Sequence, residues 1–320
     1  MRQGIDIVHG ACLRISIAVM LTLFALTPAR SATVEVKDAL GRQVRIEDSS
    51  RIISIGGAIT EILYAMGLES RIIGVDITSL YPPRAMKEKP NVGYMRQLSP
   101  EGVLGLGPTL VLANDGSGPK EAVSVLEAAS VPFVRIPDLF TGEGIFERIR
   151  LVAAATGMPA QGECLAKNVE AGLSRLAVLR KGIGRPMRVI FILSFVSGKP
   201  MVAGRGTAAD GIIRLAGAEN IFSGFEGYKV VSNEAIASSH ANAILGMKRS
   251  DFDVTPDEIF RYPAFGLTPA AKSKNYISMD GLYMLGFGPR TAQAAGDLAH
   301  ALYPALPDDK PPAEGASCRQ

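Results

Sequence analysis

In this chain of 320 residues the side chains with most chemical promise sit in one short run, Gly93-Tyr94-Met95-Arg96. A tyrosine phenolate is a hard, anionic oxygen donor suited to ferric iron. Free tyrosine titrates at about pH 10, so ligation at neutral pH needs assistance. A bound cation supplies most of that assistance, because its charge favours the deprotonated form. Arg96 can add to it. Residues two apart in an extended segment point to one side, which would set its guanidinium beside the Tyr94 oxygen. The plainer alternative is a half-buried loop aromatic beside a surface cation.

Two carboxylates form a second pattern. Glu101 follows Ser99-Pro100 and Glu234 follows Ser232-Asn233, so each falls in the first turn of a helix begun by serine. There an acid stabilises the helix dipole by about 0.3–1 kcal/mol. Other chemistries are poorly served. His240 and His300 are far apart, and Cys12, Cys164 and Cys318 make no C-x-x-C motif. Neither structural zinc nor a disulfide framework is expected from them. No nucleophile–base pair or paired-carboxylate motif stands out, so a binding protein is expected rather than an enzyme.

These side chains need a scaffold, and the hydrophobic pattern supplies one. After an exposed hairpin expected over 34–48, short β-branched runs alternate with helical ones. Strands are expected over 51–55, 71–75, 109–113 and 132–136, with helices over 59–66, 100–106 and 120–129. Single helices between strands predict right-handed crossovers on a parallel sheet. Strands then disappear from about 142 to 184. A helix over 145–156 is followed by a long one over 159–180, with Leu165, Val169, Leu173, Leu176 and Leu179 on one stripe. At about 1.5 Å per residue that helix spans roughly 33 Å, the width of a small domain. Strands resume over 188–193, 243–247 and 276–279, with helices over 207–215, 233–237 and 289–302. The expected fold is α/β, two Rossmann-like lobes bridged by one long backbone helix. A single larger doubly wound domain is the alternative. The lobes would be 32–141 and 185–304, joined by the helical linker 142–184. Residues 248–263 receive no assignment.

Composition bounds the rest. A chain that is 47% hydrophobic and 20% charged can bury a sizeable core, which excludes a disordered or fibrous protein. The net charge of +3, with no basic block, argues against a nucleic-acid partner. Residues 1–31 have the layout of a cleavable secretory signal. Arg2 and Arg14 precede an apolar run over 15–26, and Ala29-Arg30-Ser31 places small residues at the −3 and −1 positions. The run is short for a membrane span. Cleavage near Ser31 would leave a periplasmic protein of net charge +1. The tail over 305–320, rich in Pro and acidic residues, is expected to be disordered.

The segment Ser54-Ile-Gly-Gly-Ala-Ile-Thr-Glu-Ile-Leu-Tyr-Ala-Met-Gly67, followed by Val75-Asp76, resembles the first lobe of a family of ABC-importer substrate-binding proteins. These are the helical-backbone class that carries cobalamin, ferric siderophores and haem. Within the class, Val92-Gly-Tyr-Met-Arg-Gln-Leu-Ser-Pro-Glu-Gly102 is similar to the haem-binding branch, as are Ala203-Gly-Arg-Gly-Thr-Ala-Ala-Asp210 and Asp280-Gly-Leu-Tyr-Met-Leu-Gly-Phe-Gly-Pro-Arg290. The resemblance covers roughly residues 50–304. It implies two lobes that move little because the helix between them resists bending.

The resemblance also implies roles. Tyr94 would be the axial ligand of a transported ferric haem b, and Arg96 its partner. Arg205, in a Gly-Arg-Gly loop, and Lys229, beside Tyr228, are candidate partners for the haem propionates. Glu101 and Glu234, one per lobe, would dock on arginines of a membrane permease that works with an ATPase. The protein itself would be a monomer and touch the membrane only through that permease. Certain haem-branch members carry a histidine shortly after the first strand of the second lobe. Phe195 stands there in this chain, so no histidine from that lobe is expected on iron. A ferric-siderophore or corrinoid carrier remains the alternative within the class. An exported metal- or cluster-dependent enzyme on a two-lobed scaffold is the alternative outside it.

Overall fold

The computed structural model describes residues 33–248, 255–307 and 318. Val34–Lys37 (β1) and Gln43–Ile46 (β2) pair as an antiparallel hairpin. It is not exposed throughout, because Val36 and Ile46 are buried while their neighbours face water. That alternation is the period-two signature of a strand with one face on a core.

The first lobe follows the expected alternation. Its elements are Ile52–Ile55 (β3), Gly57–Ala65 (α1), Ile72–Val75 (β4), Arg84–Glu88 (α2), Gly93–Tyr94 (β5), Gln97–Leu98 (β6), Pro100–Leu104 (α3), Leu110–Asn114 (β7), Lys120–Ala128 (α4) and Phe133–Ile136 (β8). Strands β4-β3-β7-β8 make one parallel sheet in that order. All four residues of β3 are buried, as a strand covered by helices on both faces requires. Then come Gly142–Ala155 (α5) and the long Pro159–Leu179 (α6), with proline in its first turn. The stripe read from the sequence is the buried face: Leu165, Val169, Leu176 and Leu179 are buried and Leu173 packs beside them.

The second lobe comprises Arg188–Val196 (β9), Lys199–Ala203 (β10), Ala208–Leu215 (α7), Glu219–Asn220 (β11), Tyr228–Val230 (β12), Asn233–Ala237 (α8), Ala243–Lys248 (β13), Pro256–Arg261 (α9), Pro263–Gly266 (α10), Pro269–Lys272 (α11), Tyr276–Asp280 (β14), Gly281–Leu285 (α12) and Thr291–Leu302 (α13). Its sheet runs β12-β10-β9-β13-β14, with β11 on β9. The strand expected over 188–193 extends to Val196 and turns back through Ser197-Gly198 into β10. Within the unassigned stretch, Thr255 starts α9 with a capping box to Glu258.

Two expectations are overturned at the carboxyl end. Cys164, on α6, and Cys318 form a disulfide with Cα atoms 5.8 Å apart. Cys318 is buried, and the Asn168 side-chain amide donates to its sulfur at 3.3 Å. The supposedly disordered tail therefore has a fixed point. Its beginning is also held, because Pro307 O lies 2.8 Å from His300 Nε2 and Leu306 packs on the core. Sequence spacing concealed the pairing, since 154 residues separate the two cysteines. The expected signal segment lies outside the described residues.

Side chains as well as α6 join the lobes. Arg148 of α5 is fully buried and donates to Pro137 O and Asp138 Oδ1 at the end of β8. On its other side it donates to Gly286 O and Phe287 O of the second lobe, at 2.9 and 2.8 Å. Glu61 of α1 receives a two-pronged bond from Arg290 at 3.0 and 2.9 Å. No described helix is long and apolar enough to cross a membrane.

Candidate functional site

Strand ends position everything of interest. In the first lobe the chain beyond β4 is organised by Asp76, which is fully buried. Its carboxylate accepts from Gly56 N at 2.9 Å and from the Thr78 hydroxyl at 2.9 Å, and Ser79 donates to it at 3.2 Å. The Ser54, Thr60 and Ser79 hydroxyls continue the network at 2.7 Å spacings. Gly56 reaches Asp76 with φ of 124°, a conformation that side chains resist. Burial raises the Asp76 pKa above the ordinary aspartate value, and these donors oppose the rise. The Ser-Ile-Gly-Gly…Thr-Glu and Val-Asp motifs are thus largely a brace for the loop beneath the site.

Tyr94 stands on that brace. The β5–β6 hairpin is tied down by three backbone bonds: Ile77 N to Gly93 O at 2.9 Å, Gly118 N to Met95 O at 2.9 Å and Leu98 N to Gly118 O at 2.8 Å. Val92, Met95 and Leu98 are buried below, leaving Tyr94 half-buried above them. Ile77 and Leu80, on the loop after β4 that bonds to this hairpin through Ile77, are exposed large apolar side chains.

The extended run expected to set Arg96 beside Tyr94 is interrupted. Each strand of the hairpin is two residues long, and Met95-Arg96 is the turn between them. The alternation rule for extended chain does not hold across a turn, so it does not bring Arg96 to the Tyr94 oxygen. Arg96 is exposed, and its charge helps to lower the Tyr228 pKa.

Tyr228 sits on the edge strand of the second lobe, with its ring 6.4 Å from that of Phe191. Burial pushes its pKa up; the Thr207 hydroxyl, the Arg96 guanidinium and the Ala209 N–H pull it down, and the Asp138 carboxylate adds to the rise. Two of those influences, Arg96 and Asp138, come from the first lobe. The Tyr228 face of the strand is the one that packs on the core shared by the two lobes.

Register extends this face upward. Tyr228 pairs with Ala203, and Val230 pairs with Met201, which pairs with Ser194. Val230 and Val196 are each 42% exposed, so an uncovered apolar strip continues above Tyr228. Sequence reasoning missed this strip. Its only signal was β-branched residues at strand ends, which a buried strand shows equally.

Lys229, adjacent in a strand, must face the other way. It is exposed, with its ammonium 5.2 Å from the Phe225 ring centroid. Arg205 is exposed and paired with Glu226 at 3.0 Å. Neither cation is gathered with Tyr228. Phe195 lies on the Lys229 face of the sheet and not on the Tyr228 face, 5.5 Å from the Tyr262 ring, because a register shift in the β9–β10 pairing reverses the facing of the upper strand.

Glu101 and Glu234 occupy matching places. Each follows a serine cap, Ser99 accepting from Gly102 N at 3.3 Å and Ser232 from Ala235 N at 3.2 Å, and both are exposed. Its own N–H and the Ser232 hydroxyl hold the Glu234 carboxyl below the usual carboxylate range. Tyrosine precedes each cap by a similar distance, Tyr94 before Ser99 and Tyr228 before Ser232. The two lobes thus repeat one plan of aromatic edge strand, serine cap and exposed glutamate.

A family model described as periplasmic binding protein matches residues 52–282. Among solved structures, the chain is similar to the periplasmic heme-binding protein RhuT from Roseiflexus sp. RS-1 in apo form. The two are 38% identical, with a TM-score of 0.76 over 81% of this chain and 99% of that one. It is also similar to the periplasmic heme-binding protein BhuT in complex with two hemes, at 34% identity and a TM-score of 0.75 over 81% of this chain and 100% of the other. A vitamin B12-binding protein of Pectobacterium carotovorum is 28% identical over 79% of this chain and 88% of its own.

Proposed function

The chain belongs to the periplasmic binding protein family, and on that premise we propose that it captures ferric haem b between its lobes and delivers it to an ABC importer. Tyr94 is the iron donor. The observation that carries this reading is the tethered hairpin, which holds a half-exposed phenol over a buried Met95 anchor at the rim of the first lobe. A fixed oxygen donor loses little freedom on binding, which favours affinity. The apolar strip of Met201, Val230 and Val196 with Tyr228 supports a flat hydrophobic ligand on the opposite side. Arg96 is the cation at the rim. Arg205, exchanging Glu226 for a carboxylate, and Lys229 on the edge strand are the cations offered to the propionates. Glu101 and Glu234 meet the permease, whose ATPase drives uptake. The protein is a carrier in the periplasm, released from its leader near Ser31, and does no chemistry on its ligand.

Heme-binding proteins of solved structure at 34–38% identity support haem, and the vitamin B12-binding relative supports a corrinoid. Titration of the ligand-free protein separates them. With hemin, a saturable Soret band at one equivalent or more is expected, and a cobalamin or a ferric siderophore should leave binding unchanged in competition. Saturable binding of cobalamin with no Soret change on adding hemin would replace this reading by the corrinoid one.

A further inference from the structure

The Cys164–Cys318 bond ties the third residue from the chain end to the helix that joins the lobes. We propose that this pair is an oxidative modification site, closed through a single mixed disulfide with a dithiol oxidase of the exported compartment, and that the closed bond braces α6.

Three observations carry it. The geometry is that of a formed bridge, with Cα atoms 5.8 Å apart. The site is built to receive the sulfur: Cys318 is buried and Asn168, one turn along α6 from Cys164, donates to it at 3.3 Å. The described residues up to Pro307 are held by independent contacts. Tyr303 OH donates to Gly217 O at 2.9 Å and accepts from Met187 N at 2.8 Å, Leu306 packs on the core, and His300 Nε2 meets Pro307 O at 2.8 Å.

Outside residues 1–31 the sequence has these two cysteines alone. Each has one possible partner in the chain, so oxidation needs no later reshuffling. In the step, a cysteine thiolate attacks the disulfide of the oxidase and forms a mixed disulfide. The second thiolate then attacks the chain's own sulfur and releases the oxidase as a dithiol. Two S–H bonds are lost and one S–S bond forms. The two electrons reduce the oxidase, which with the solvent takes up the two protons. A cross-link over 154 residues removes much freedom from the unfolded chain, so the bond stabilises the fold strongly. Reduction should release α6 around Cys164 first.

The test uses the full exported chain produced in bacterial hosts with and without their periplasmic dithiol oxidase. Alkylation after denaturation without reductant should find no free thiol in the first case and two in the second. Reduction by dithiothreitol should lower Tm by roughly 10 °C, from the loop-length scaling and the size of the chain. The Cys164→Ser/Cys318→Ser double variant should melt with the reduced protein and be insensitive to dithiothreitol. Hydrogen exchange within Pro159–Leu179 should quicken on reduction. Two free thiols in protein from the competent host would overturn the modification. A double variant as stable as the oxidised wild type would overturn the brace. Neither result bears on haem, because no reading of the ligand enters them.

Discussion

Glu61 and Arg290 clasp each other across the two lobes. The Arg290 guanidinium gives Nε and Nη2 to the two Glu61 oxygens at 3.0 and 2.9 Å, and its backbone N–H adds a third bond at 3.2 Å. The same guanidinium lies 3.5 Å from the Tyr81 ring centroid and 5.0 Å from that of Tyr283. Glu61 comes from the Thr-Glu-Ile-Leu motif and Arg290 from the Gly-Phe-Gly-Pro-Arg motif, so two distant sequence signatures are halves of one lock. Planar, two-pronged pairing with aromatic stacking is a geometry that lysine cannot reproduce.

Removing one half of this buried pair strands the other charge. Arg290→Met is expected to destabilise the protein by about 3–5 kcal/mol, and Arg290→Lys to recover only part of the loss. Urea denaturation of the three proteins measures both. A loss below about 1 kcal/mol would show that the pair contributes little to joining the lobes.

Tyr94→Phe keeps the ring and removes the oxygen. Hemin affinity is expected to fall at least tenfold and the Soret band to shift, because iron loses its anionic donor while the hairpin keeps its packing. An unaltered spectrum and affinity would remove Tyr94 from the site.

Met95→Ala acts on the same site from below. Deleting a buried methionine costs about 2–5 kcal/mol in a well-packed core, and here it loosens the turn that carries Tyr94 and Arg96. Stability and hemin affinity are both expected to drop. A variant that loses stability but binds hemin like the wild type would mean that the three backbone tethers suffice to hold Tyr94.

Asp76 gives a pH test. Its carboxyl titrates above the ordinary aspartate value because of burial, so between the two values the folded chain holds more protons than the unfolded one. Stability contributed by this group is full below the unfolded value of about 3.9 and is lost as pH rises through the raised folded value. Asp76→Asn should flatten that segment of the stability–pH curve, read from urea midpoints between pH 3 and 7. An identical slope in the variant would contradict the raised value.

Charge reversal at the matched helix starts tests delivery. Glu101→Lys with Glu234→Lys should leave hemin titration unchanged and reduce uptake in cells by tenfold or more, since both carboxylates are exposed and remote from the packed core. Each reversal also puts a cation at a helix start, costing about 0.3–1 kcal/mol. Normal uptake would exclude these residues from docking.

The amino-acid order alone determined the scaffold. The helices expected over 59–66 and 207–215 end just before Gly67 and Gly217, α8 occupies the predicted 233–237, and the leucine stripe of α6 is the buried one, because helix caps and apolar period are local properties. It also singled out Tyr94, Tyr228, Glu101 and Glu234 as residues worth placing. Tertiary structure decided what those side chains meet. The turn at Met95-Arg96 broke the alternation expected to set Arg96 beside Tyr94, strand pleating turned Lys229 away from Tyr228, and a register shift carried Phe195 to the opposite face from Tyr228. The disulfide and the Glu61–Arg290 clasp join residues 154 and 229 positions apart. Contacts of that range leave no local pattern, since they arise only when independently formed elements are packed against one another.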